Sequence, residues 1–162
     1  MKTKVLIFCW FFAMFSLLLE ASDAVVANYT GKVLVWQDNK WKNITKKGLI
    51  LKEKDKIKTL NKSKVILLFK NGSTIIIGEN SQVTIYELLN NISLILDEGE
   101  IRSQVIGLQQ NQTFEVKTPI SVASVRGTEF ILSHIGNQTE LIVVEGKVTL
   151  YDNSGNSYSK ST

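Results

Sequence analysis

Residues 118–132, TPISVASVRGTEFIL, decide how the rest of the chain is read. They hold the chain's single proline, Pro119, and one of its two arginines, Arg126, followed by Gly127. Around them stand β-branched residues: Ile120, Val122, Val125, Thr128 and Ile131. Such side chains lose χ1 freedom in a helix and pack well on a pleated backbone, so the stretch predicts strand. A proline at a strand entrance is tolerated, because its missing N–H lies outside the ladder. Parity exposes one conflict. In an unbroken strand Val122, Ser124 and Arg126 would share a face with Thr128, Phe130 and Leu132, mixing a polar half with an apolar half. One extra residue near Gly127, a bulge, resolves it.

Working outward, the chain keeps this character. Residues 31–36 alternate, residues 37–40 turn, and Trp41 opens a return, which predicts a hairpin with Trp36 and Trp41 near its ends. Residues 48–52 and 56–60 flank the charged turn 53–55, and the apolar run 64–69 ends at Asn71-Gly72, a strong hairpin signal. Further short strands are predicted at 73–77, 81–87, 92–96, 100–106, 112–117, 139–145 and 147–151. No segment reads as a helix of ordinary length. The fold class is therefore all-β: short antiparallel strands in a rolled sandwich or solenoid-like β-stack, after an N-terminal signal segment. An internal echo favours repeated corners. LDEGEI at 96–101 resembles VVEGKV at 143–148, and Gly31-Lys32-Val33 repeats the glycine and the apolar step.

Length and composition bound the rest. A chain of 162 residues with 44% apolar content holds one ordinary domain and enough material for a core. Lys2 and Lys4 precede an apolar run from Val5 to Leu19, broken only by Ser16, and small residues follow at Ala21, Ser22, Ala24 and Ala27. This is the layout of a secretory signal peptide, residues 1–24, cut after Ala24 or Ala27. The run is short for a span of about 20 residues; an uncleaved anchor is the alternative. The domain is expected at 28–152, with a polar tail at 153–162 that frays. Cys9, the only cysteine, lies in the signal, so the mature chain has no thiol, disulfide or cysteine metal site. The expected location is periplasmic or secreted.

Charge is uneven. Residues 32–70 carry twelve lysines against Asp38, Glu53 and Asp55, a net of +9, whereas residues 71–162 carry five basic and ten acidic residues, a net of −5. Lysines on edge strands block unwanted pairing; a basic face for an acidic partner is the sharper reading. Export argues against nucleic acid. Tyr29, Trp36 and Trp41 could form a platform for sugar rings, although cross-strand packing explains such residues more often. Seven Asn-x-Ser/Thr sequons, at Asn28, Asn43, Asn61, Asn71, Asn91, Asn111 and Asn137, are read as accidents of an Asn-rich composition.

Catalytic chemistry has little to stand on. His134 is the sole histidine and reads as a turn residue at a strand end. Triads and metal sites need partners it lacks, so no catalytic, cofactor or metal residue is assigned. Asp97, Glu98 and Glu100 cluster, but acids at turns are common. No phosphate-binding glycine loop occurs.

The opening stretch resembles the signature of the FecR domain family, bacterial periplasmic domains first known from iron-citrate sensing. Members carry Thr-Pro, a small or apolar run, then Val-Arg-Gly-Thr-x-Phe. Here the matching residues are Thr118, Pro119, Val125, Arg126, Gly127, Thr128 and Phe130. A Gly-x-x-Leu-x-x-Gly-Asp-x-Ile-x-Thr pattern is met by Gly48, Leu51, Asp55, Ile57 and Thr59, with Lys54 in place of a glycine. Gly31 and Val33, Gly72 and Ser73, and the corner glycines Gly99 and Gly146 also fit, so the likeness runs over residues 28–152. The motif residues are read as structural. Arg126 is expected to hold turn carbonyls or to pair Glu129 or Glu145. The resemblance implies a stand-alone, exported, non-catalytic module that binds an envelope protein. The alternative is a cell-wall glycan module using residues 32–70. Iron signalling and sigma-factor control are not carried over.

Overall fold

A computed structural model describes residues 24–89 and 91–162; the expected signal up to Asp23 lies outside the described residues. Fifteen strands form, and no helix among the described residues. They are β1 (Ala24–Thr30), β2 (Val33–Gln37), β3 (Lys40–Asn43), β4 (Ile50–Leu51), β5 (Lys56–Thr59), β6 (Lys64–Phe69), β7 (Thr74–Ile77) and β8 (Gln82–Glu87). Then come β9 (Ile92–Gln104), β10 (Phe114–Lys117), β11 (Ser121–Val125), β12 (Glu129–Ile135), β13 (Gln138–Glu145), β14 (Lys147–Asp152) and β15 (Ser157–Ser161).

The strands make two facing sheets that share β9. The first runs β4-β1-β6-β7-β9-β12-β13, the second β3-β2-β5-β8-β9-β10-β11-β14-β15. β9 changes sheet at Gly99. Its first half pairs β8 and β10, and its second half pairs β7 and β12. Expected as two strands around a glycine, it is one bent strand, because Gly99 adopts φ 100° and carries the chain round the corner without ending it. The pairing is antiparallel except between β9 and β10, which is parallel. There residues 105–113 cross back, and β10 enters from the end where β9 began.

Period-2 alternation supplies the core. Val65, Leu67 and Phe69 of β6 and Ile75 and Ile77 of β7 are buried, and the residues between them point outward. Phe114 of the second sheet sits edge-on between Phe69 and Phe130 of the first, with both centroid distances 6.4 Å. Each such ring contributes roughly 1.5–3 kcal/mol by leaving water.

The corners recur with one chemistry. Gly31, Gly99 and Gly146, the three glycines of the sequence echo, all have positive φ. Each packs against a buried hydroxyl residue: Ser63, Ser81 and Thr128 respectively. Ser63 Oγ accepts from the Lys32 amide at 2.8 Å, and Ser81 Oγ from the Glu100 amide at 3.0 Å. Thr128 donates Oγ1–H to the Lys147 carbonyl at 3.0 Å. The hydroxyls satisfy backbone groups that a sheet-changing corner removes from the ladder.

Three expectations are corrected. Burial does change parity near Gly127, from Ser121, Ala123 and Val125 to Thr128, Phe130 and Leu132. The cause is a corner at 126–128 between two strands in different sheets, not a bulge in one strand. The domain starts earlier than Asn28: β1 pairs β6 and β4 from Ala24 onward, with Ala24 and Val26 in the core. The polar tail does not simply fray; residues 157–161 pair with β14 as an exposed edge strand.

Candidate functional site

The outward face of the first sheet is the least ordinary surface of the molecule. Register places Ile66, Ile76, Arg102, Ile131 and Ile142 in one row across five adjacent strands. Beside it a second row begins with Ile50, Val25 and Leu68. Ile50 is 46% exposed, Leu68 42% and Ile142 46%. The mean spacing of about 4.8 Å between strands makes the five-strand row roughly 19 Å wide. A monomeric sandwich commonly solvates such a face with polar residues; here an apolar stripe crosses it, the kind of patch that marks a contact site.

One ion pair interrupts the stripe. Arg102 Nε donates to Glu129 Oε1 at 2.9 Å, and Nη2 reaches the same oxygen. The two strands hold these residues one row apart. Glu129 is thus taken by Arg102, not by Arg126 as expected. The Arg126 side chain is exposed and makes no hydrogen bond or ion pair with another described residue. It holds none of the turn carbonyls expected of it.

The other motif residues are in the scaffold. Thr118 Oγ1 accepts from the Ser121 amide at 3.0 Å and closes the turn that carries Pro119. Thr118, Val125, Thr128 and Phe130 are buried. Lys54, where the resembled pattern has glycine, adopts the left-handed region with φ 73°. Asp55 beside it is buried and accepts from the Lys52 amide at 2.8 Å and from Gln37 Nε2 at 2.5 Å.

Other candidates are not assembled. Trp36 and Trp41 face each other across the β2–β3 hairpin, edge to face at 5.5 Å, as the turn predicts. Tyr29 packs against the core from the other sheet, so the three rings form no platform. The lysines of 32–70 spread over β3, β5 and turns at both ends instead of one face. His134, one residue before the end of β12, is buried and shares a 2.9 Å hydrogen bond with Thr139 Oγ1. Asp97 accepts from Gln82, while Glu98 and Glu100 are exposed. No group of three His, Cys, Asp or Glu side chains among the described residues could hold a metal ion. The Lys42 hydrogen bond holds the Asp38 carboxyl below its usual range, and the Asn156 side chain does the same for Asp152. A cavity of about 400 Å³ opens between Lys70, Leu88, Leu89, Ile92 and Gly107.

Sequence reasoning missed the apolar face, though a signal was present. VILLF at 65–69 and III at 75–77 are apolar on both faces of strands that bury only one.

Comparison with known proteins places this geometry. Residues 55–149 match the family described as FecR protein. Two crystal structures of a candidate anti-sigma factor from Parabacteroides distasonis ATCC 8503 share the fold, each with a TM-score of 0.52 and 14% identity. The match covers 65% of this chain and 59% of that one, so this chain aligns with little more than half of its structural neighbour. No curated protein matches the chain.

Proposed function

Since the chain belongs to the FecR family, we propose that it is a non-catalytic, protein-docking module of a regulatory or signalling system, exported to the bacterial envelope. One observation carries this reading: the isoleucine row of the first sheet, with Arg102 and Glu129 set into it. An apolar centre with a charged pair matches the anatomy of protein interfaces, where arginine is enriched. A standard interface takes about 800 Å² from each partner, and the five strands that carry the row offer a broad face for it. The likeness to a candidate anti-sigma factor supports the regulatory setting. The apolar run behind Lys2 and Lys4 supports export.

The glycan reading has less behind it, because Tyr29 and the tryptophans stand in different sheets and the lysines are dispersed. A photocrosslinking residue at Ile76 or Ile142, in intact cells, tests the proposal. A discrete protein adduct from these positions, absent from Ser124 and Thr149 on the outward face of the second sheet, supports it. Equal labelling from both faces contradicts it. Salt-sensitive capture by isolated cell-wall material would favour the glycan instead.

A further inference from the structure

The two ends of the sandwich differ, and one is built to lie against a lipid surface. Ala24, the first residue of β1, pairs with Phe69, so the chain enters at the end where β6 turns into β7. Only residues 20–23 separate it from the apolar run that ends at Leu19, a reach of at most about 18 Å.

Hydrogen bonds tie the turns of that end together. Leu88 N donates to Glu53 Oε1, Lys54 N to Ile85 O, and Asn71 Nδ2 to Ile106 O. The same turns expose Leu89, 70% accessible, and Ile106, 48%. Their charges are unbalanced in availability, although exposed Glu145 at the end of β13 and half-buried Glu87 at the end of β8 also make no ion pair among the described residues. Asp38 pairs with Lys42, Asp55 holds the Lys52 amide and Gln37, and Glu53 holds the Leu88 amide. Lys52, Lys54, Lys70 and Arg126 are exposed, and their side chains make no ion pair or hydrogen bond with another described residue. At the opposite end the connections carry Lys32 and Lys62 against Glu79, and the bend of β9 adds Asp97 and Glu98.

We infer that the Leu89–Ile106 end is seated on an anionic bilayer while the apolar N-terminal run is attached, with the four cations over lipid headgroups and the two apolar side chains at the interface. This rests on the export reading above. Cations near an anionic leaflet contribute about 1 kcal/mol each, and exposed apolar side chains add to such binding. In this pose the strands stand on the membrane and the isoleucine face stays open to a lateral partner.

The test uses the full chain carrying Cys9→Ser, bound to phosphatidylcholine–phosphatidylglycerol vesicles. Single environment-sensitive probes are placed by Leu89→Cys, Ile106→Cys, Ile120→Cys or Asn153→Cys. The expected result is a blue shift and quenching by headgroup spin-labelled lipid at 89 and 106, and water-like emission at 120 and 153. Joint Lys52→Gln, Lys54→Gln and Lys70→Gln substitution should lower quenching at 89 and 106 at least about twofold, with the chain still floating with the vesicles. Four water-like probes on vesicle-bound chain would reduce the apolar run to a tether and overturn the inference. So would burial at 120 and 153, indifference to the lysine substitutions, or a chain that stays off the vesicles. Loss of a protein partner from the isoleucine face leaves these readouts unchanged, so the two proposals fail separately.

Discussion

Gly99 and Ser81 touch so closely that a Cβ built on the glycine would stand 2.5 Å from Ser81 Cα. This contact fixes the corner at which β9 leaves one sheet for the other, and the Ser81 hydroxyl seals it by accepting from the Glu100 amide. Gly99→Ala adds both a backbone clash and the strain of an alanine at φ 100°. The expected loss is about 3 kcal/mol, read as a lower midpoint in urea unfolding. A change under about 0.5 kcal/mol would mean the corner can open freely.

Ser103 lies in the core on β9, and its Oγ has no hydrogen-bond partner among the described residues. A buried hydroxyl without a partner carries a desolvation cost that alanine lacks. Ser103→Ala is expected to raise stability by about 1 kcal/mol, measured as a higher Tm. A lower Tm would show that the hydroxyl finds an acceptor in solution.

Lys54 holds a left-handed conformation, φ 73°, that glycine adopts at less cost. Lys54→Gly removes the Cβ strain but frees the unfolded chain, leaving an expected gain of about 0.5–1 kcal/mol. Chemical denaturation checks it; a loss would mean the Lys54 side chain supports the turn.

The structural role expected of Arg126 has no side-chain contact behind it among the described residues. With an exposed, unpaired side chain, Arg126→Ala should change stability by no more than about 0.5 kcal/mol. A calorimetric drop of several degrees would restore the structural role.

What could be read in advance follows from range. Alternation and turn chemistry are local, so Trp36–Trp41, Asn71-Gly72 and most strands were legible in the sequence. β1 was not, because Ala24 and Val26 alternate inside small residues that also suit a signal cleavage region. β15 was not, because SYSKS is polar on both faces and is held by backbone pairing. Long-range choices were hidden too. Glu129 is paired by Arg102, 27 residues away, in preference to the nearby Arg126. The glycine corners echoed in the sequence, but the Ser63, Ser81 and Thr128 hydroxyls behind them lie 18 to 32 positions away.

The isoleucine face of the first sheet is proposed above to bind another protein. Its most direct test is the affinity of the crosslinked partner for Ile142→Asp and for Thr149→Asp, measured by titration calorimetry. A charge buried at an interface centre costs about 3 kcal/mol or more, so Ile142→Asp should weaken binding at least about a hundredfold while Thr149→Asp binds as the parent does. Unchanged affinity for Ile142→Asp, or a comparable loss for Thr149→Asp, would contradict the account.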